Sequence, residues 1–284
     1  MEVGLSLFSV RPDRMPDFAV RAEELGYESV FAPDHVTFPV QFDSPYPGSP
    51  DGKFPYPLDT PLFDPWIALT QVAQVTTTIK LGTAIYVLGL RHPIIAARAI
   101  TTLDVLSGGR TVVGIGAGWL GEEFAALGID PRTRFSRLEE CVEAIRVLWT
   151  DHEAEYHGRH FDFDPLYFEP KPVASPNPPI LFGGYSDSAL QRAVRLGDGW
   201  LSGGGAQNLD EIATLMRRIE ELREQFEVSR PFQVTILEGR PEPAFLAGLA
   251  ELGVHRALVM PWTRNRDAFA GMEAYAEEAW SVLR

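Results

Sequence analysis

Short apolar runs rich in β-branched residues alternate along the chain with stretches whose apolar positions recur every three or four residues. The first pattern fits buried strands and the second amphipathic helices, so their alternation predicts parallel strands joined by crossover helices. Strands are expected at 3–8, 29–32, 79–87, 111–115, 179–182, 199–201, 232–237 and 256–260. Helices are expected at 16–25, 65–75, 93–106, 132–149, 186–196, 209–226, 244–252 and 266–283. Punctuation agrees: Gly26 stops the first helix, Pro93 opens another that ends at Gly108-Gly109, and Ser186 stands at a cap position. Such a series predicts an α/β fold, a single (β/α)8 TIM barrel spanning 1–284. The competing doubly wound open sheet is disfavoured because no Gly-x-Gly-x-x-Gly follows the first strand.

Two connections are too long for ordinary loops, at about 34–64 and about 150–178. Both are dense in proline and aromatics, as in Pro45-Tyr46-Pro47, Phe54-Pro55-Tyr56-Pro57 and Tyr167-Phe168, so they read as packed insertions. The first follows the C-terminal end of a strand, where barrel enzymes build their sites, and is expected to cover substrate.

Composition narrows the function. The 284 residues are 45% hydrophobic and 23% charged, an ordinary globular balance. A net charge of −14 repels polyphosphate chains and anionic lipid, so neither nucleic acid nor membrane is an expected partner. The lone Cys141 sits among helical apolar neighbours and reads as a buried thiol. The N-terminal run lacks the basic start and long apolar centre of a signal peptide, so a cytoplasmic location is expected.

Several segments carry candidate chemistry. Asp34-His35 directly follows the second strand, and histidine is suited to proton transfer near neutral pH with a carboxylate beside it to hold its tautomer. Gly82, Thr83 and Ala84 are small enough for a flat ring to approach the backbone. Arg91 and His92 precede a helix and suit either an anion or a simple cap. Gly114-Ile115-Gly116-Ala117-Gly118-Trp119 permits close backbone approach, and the following Glu122 and Glu123 read by default as solvated carboxylates. Gly183-Gly184-Tyr185-Ser186 offers amides and a hydroxyl for a phosphate. No zinc-ligand spacing, nucleophile elbow or phosphate loop ending in Gly-Lys-Ser/Thr is present, and no metal is expected.

Taken together, these segments resemble the luciferase-like monooxygenase superfamily, and more narrowly its branch of oxidoreductases that use the deazaflavin coenzyme F420. The resemblance runs in order through the segment from Tyr27 to His35, Leu81-Gly82-Thr83-Ala84-Ile85, Arg91-His92-Pro93, and the segment from Thr102 to Arg110. It continues through Gly114–Trp119, Glu123-Phe124, Lys171-Pro172, Pro178-Pro179-Ile180 and Gly197-Asp198-Gly199-Trp200. The resemblance implies a bacterial luciferase-like barrel with an insertion, a non-prolyl cis peptide at Ala84-Ile85 backing the cofactor ring, and Asp34 and His35 as ring-contacting and proton-handling residues. It also implies Gly183, Gly184 and Ser186 at the cofactor phosphate, and Val87, Gly118, Trp119 and Glu122 along its path.

The implied activity is hydride transfer between F420 and a small organic substrate, with Phe38, Tyr46, Phe54, Tyr56, Trp66 and Trp119 available to line an apolar pocket. An FMN-dependent monooxygenase, fed by a partner reductase, is the first alternative, and a non-catalytic cofactor-binding protein the second. A homodimer is expected from the superfamily. Two departures argue against sugar-phosphate oxidation: Trp119 stands where the sugar-phosphate dehydrogenases of the branch carry a glutamate, and no lysine follows Lys171.

Overall fold

The computed structural model describes residues 1–49, 51–203 and 208–283. The first half contains β1 (Glu2–Ser6), α1 (Met15–Leu25), β2 (Ser29–Ala32), α2 (Pro65–Val75), β3 (Lys80–Thr83), β4 (Tyr86–Val87), α3 (Pro93–Ser107), β5 (Thr111–Gly116), α4 (Gly121–Ala126) and α5 (Arg134–Thr150). There follow β6 (Ala154–His157), β7 (Asp162–Leu166), β8 (Ile180–Gly183), α6 (Asp187–Leu196), β9 (Gly199–Leu201), α7 (Leu209–Gln225), β10 (Gln233–Glu238), α8 (Pro243–Glu251), β11 (Arg256–Val259) and α9 (Ala268–Leu283). Among the described residues, β1, β2, β3, β5, β8, β9, β10 and β11 pair in parallel and close on themselves, giving the expected eight-stranded barrel with its helices outside.

Local chemistry sets the element ends as the sequence implies. Asp64 accepts from the Trp66 and Ile67 amides at 3.0 and 3.1 Å, ahead of Pro65 in the first turn of α2. Gly26 and Gly108 close α1 and α3 in the left-handed region, at φ 88° and 70°.

The barrel interior is filled in layers. Phe31, Val112, Leu181, Leu201 and Leu258 form a buried middle layer, on which Ala84, Ile85 and Leu237 pack. Beneath it, at the N-terminal ends of the strands, the fully buried Arg256 meets Glu28 through two bonds of 2.7 Å, with Lys80 on the same carboxylate at 2.8 Å. The larger apolar core lies between strands and helices, and Cys141 belongs to it; burial pushes its thiol up to about 12.

One expectation needs correction, and two features lie beyond what the pattern predicted. The third strand does not run unbroken over 79–87: β3 and β4 are separated by Ala84 and Ile85, where the non-prolyl peptide is cis. The segment at 150–178 is not wholly irregular, since β6 and β7 form an antiparallel pair with the Tyr156 and Phe163 rings 6.2 Å apart. Its short, mostly polar strands, one containing Pro165, carry no clear alternation. Finally, α4 forms where no element was predicted; six residues are too few to display a helical period.

Candidate active site at the barrel mouth

At the C-terminal end of β2, the neighbours Asp34 and His35 are engaged by different partners. Arg91 Nη1 and Nη2 donate to the two Asp34 carboxylate oxygens at 2.6 and 2.7 Å, and the Val87 amide donates at 2.9 Å. Arg91 also donates to the Val87 carbonyl at 3.0 Å and lies over the Tyr86 ring at 4.3 Å. Burial pushes the Asp34 carboxyl above its ordinary value, against the pull of Arg91 and the Val87 amide, and the fork-to-fork geometry is that of an ion pair. Asp34 therefore ties β2 to β4. Its carboxylate is not the one that orients His35, contrary to the expectation from adjacency. Arg91, open in the sequence between anion binder and cap, is the counter-ion of Asp34, while His92 accepts from the Ile94 amide at 3.3 Å as the cap of α3.

The carboxylate that orients His35 is Glu123. Its Oε2 lies 2.9 Å from His35 Nδ1, and its Oε1 accepts from the Val36 and Thr37 amides at 2.6 and 3.2 Å. Glu123 is fully buried, so its default reading as a solvated carboxylate is wrong. The available signal was its place beside Phe124 in a short segment just after the glycines, although one sequence gives no way to tell its inward face from its outward one. Glu122, expected along the cofactor's path, engages the first insertion through one of its oxygens. Its Oε1 accepts from the Asp43 and Ser44 amides at 2.8 and 3.2 Å, and Ser44 Oγ accepts from the Gly121 amide at 3.0 Å. Burial raises the Glu122 pKa, but these donors and the Ser44 hydroxyl outweigh it and hold the carboxyl below its ordinary value. The two glutamates thus clasp the first insertion to α4.

Between these groups lies the interruption of the third strand. The Ala84 amide donates to the Ala32 carbonyl at 2.9 Å and Thr83 Oγ1 to the Gly114 carbonyl at 2.8 Å, fixing the break to both neighbouring strands. The Ile85 side chain reaches across the barrel top: a Cβ at Gly116 would collide with its Cδ1, and one at Gly183 would stand 3.3 Å from its Cγ2. Gly118, at φ 75°, leaves room for Val87 and Phe124, where a Cβ would fall 2.7 and 2.9 Å from their side chains. Ala84, Ile85, Ala117, Gly118, Trp119, Gly183 and Gly184 remain partly exposed, so they form an open floor.

Aromatic rings wall one side of this floor. Trp119 is the hub, stacked on Phe54 at 5.7 Å and meeting Tyr46 at 5.1 Å, Phe42 at 5.6 Å and His35 at 6.0 Å. Phe38 bridges His35 and Phe54, and Tyr56 joins Phe54 to Phe8 at the end of β1. Trp66 stands apart from this wall, buried against Tyr86 at 5.2 Å. On the far side, Ser186 Oγ accepts from the Ala189 amide at 3.2 Å as the cap of α6, and the Gly184 carbonyl accepts from the Trp200 indole at 2.6 Å. Gly183 and Gly184 are thus brought to the floor, while Ser186 is exposed beyond it.

Among the described residues, no group of three or more His, Cys, Asp or Glu has the arrangement of a metal site, and no helix is long and apolar enough to cross a membrane.

The chain is 35% identical over 279 residues to an uncharacterized protein of Mycobacterium tuberculosis, covering 97% of this chain and 98% of the relative. It is 30% identical over 254 residues to an F420-dependent glucose-6-phosphate dehydrogenase of Nakamurella multipartita, covering 84% and 69% respectively. The fold matches that of the monooxygenase RslO1 from Streptomyces bottropensis, with a TM-score of 0.80, 19% identity and 100% of each chain covered. It also matches an F420-dependent secondary alcohol dehydrogenase solved with an F420-acetone adduct, with a TM-score of 0.78, 19% identity and coverage of 99% and 98%. Residues 2–241 match the sequence profile of the luciferase-like monooxygenases, and the chain belongs to that family.

Proposed function

We propose that this chain is an F420-dependent oxidoreductase acting on a small, uncharged organic substrate held between the open floor and the aromatic wall of the first insertion. One observation carries this reading: a histidine fixed by a buried carboxylate stands beside a partly exposed backbone break at the barrel mouth, in a chain 30% identical to an F420-dependent dehydrogenase. The residues present fit a flat heterocycle. Ala84, Ile85 and Gly118 offer a surface without bulky polar groups, and glycines at 116 and 183 leave the space that the Ile85 side chain needs.

When bound, F420 supplies the hydride acceptor or donor, and the protein supplies orientation and proton handling. His35 Nε2 would take the proton from the heteroatom of a substrate being oxidised, and would return it to that atom in the reducing direction. The aromatic wall excludes water from the reacting atoms and favours apolar substrates. Sugar phosphates are disfavoured because Arg91 is neutralised by Asp34, Lys80 is paired with Glu28 at the opposite end of the barrel, and Lys171 donates to the Leu148 and Asp151 carbonyls.

Anaerobic titration of the purified protein with F420 and with FMN is the test, combined with His35→Ala. F420 should bind more tightly than FMN. His35→Ala should keep F420 affinity while turnover falls about 10²–10⁴-fold. Tighter FMN binding with oxygen uptake would replace this reading with a monooxygenase, for which the fold match to RslO1 is the supporting observation. Binding without turnover of any carbonyl or alcohol tried would leave a cofactor-binding protein.

A further inference from the structure

We infer that Glu123 is a positioning residue that sets the tautomer of His35, with the hydrogen on Nδ1 and the lone pair of Nε2 turned to the substrate; its effect on turnover rests on the reading proposed above. A carboxylate with only 1% of its side chain exposed must be compensated by donors, and this one has three: the Val36 amide, the Thr37 amide and His35 Nδ1. An ionised carboxylate only accepts, so Nδ1 carries a hydrogen whenever the imidazole is neutral. The adjacent Asp34 does not compete for that role, because both of its carboxylate oxygens are held by Arg91. Among the described residues no partner bonds Nε2, and that atom is not among the buried polar atoms left unpaired. The ring packs against Phe38 at 4.6 Å and meets Trp119 in a T-shaped contact at 6.0 Å.

The arrangement also links proton handling to the insertion. Glu123 Oε1 holds the first residues of the insertion, and Glu122, next to it on α4, holds Asp43 and Ser44 further along. One short helix therefore places the proton acceptor and the segment that walls the substrate, and their relative position is fixed before substrate arrives.

Glu123→Gln separates positioning from bulk structure because the side chain keeps its size. Its amide oxygen remains the acceptor for the Val36 and Thr37 N–H groups, which turns the NH2 group toward His35 and makes Nδ1 an acceptor. The expected result, read by 15N NMR on protein labelled at histidine and assigned with His35→Ala, is a switch from the Nδ1–H to the Nε2–H tautomer. F420 affinity should stay within about threefold while turnover falls at least about 10²-fold, the order of loss that a wrong histidine tautomer causes.

The wild-type spectrum decides the matter even if the variant fails to fold: an Nε2–H tautomer of His35 in the unaltered protein overturns the inference, and so does an unchanged tautomer in a folded Glu123→Gln. If the switch occurs but the protein binds no F420, the positioning role stands and the cofactor reading falls.

Discussion

Asp34 and His35 are adjacent in sequence yet serve separate purposes because a strand end sends successive side chains in different directions. Asp34 points at the wall of the barrel, where the Arg91 fork and the Val87 amide use its oxygens. His35 points along the mouth toward Glu123 and the aromatic wall. Asp34→Asn would leave Arg91, whose side chain is 14% exposed, without its counter-charge. Breaking a largely buried pair by removing one partner costs about 3 kcal/mol or more, so urea unfolding should show a loss of that order. If Asp34 served only the reaction, the substitution would lower turnover and leave the unfolding midpoint in place.

At the scale of elements, the mouth is built by β3, β4 and β5 acting together. Interrupting the third strand puts two residues outside the ladder, and β5 accommodates them with glycines at 114 and 116. A Cβ at Gly114 would collide with the Thr83 carbonyl oxygen, a backbone atom that no side-chain rotation can move aside. Gly114→Ala should therefore destabilise by about 1–3 kcal/mol as an overpacked core position. Gly239→Ala, where none of the described residues lies within 4 Å of the added carbon, is the control expected to melt with the wild type. Equal melting temperatures for the two variants would contradict this account of the β3–β5 contact.

At the scale of the whole molecule, the polar layer under the barrel makes stability depend on pH. Burial raises the Glu28 pKa, but bonds from Arg256 and Lys80 outweigh it and bring the carboxyl from 4.5 to about 2. The sign follows from linkage: a folded-state value below the unfolded one gives stability that is present above about 4.5 and lost as pH falls toward about 2. Glu23, which accepts from the Thr77, Thr78 and Ile79 amides, is lowered to about 2 and contributes in the same window. Glu28→Gln should lower stability at pH 7 by about 3 kcal/mol, since Arg256 is then buried without a counter-charge. Its melting temperature should also vary less than the wild type's between pH 4.5 and 2, a difference that thermal scans across that range would detect.

The order of strands and helices, and hence the closed barrel, is legible in the chain because burying one face of an element writes a period into its residues. The residues alone pointed to Asp34-His35, to the small residues Gly82, Thr83 and Ala84 and to Gly114–Trp119, since these are local features near strand ends, while the break at Ala84-Ile85 came from the family resemblance. Which carboxylate serves His35 was not legible: Glu123 lies 88 positions away in sequence, and its burial depends on how the six-residue α4 docks on the first insertion. The same holds for Arg91, whose partner lies 57 positions away, and for the gathering of the insertion's rings on Trp119. Periodicity reports only which face of an element is buried. Partnerships between side chains far apart in the chain are decided when the elements pack, because only then are the charges desolvated and obliged to find each other.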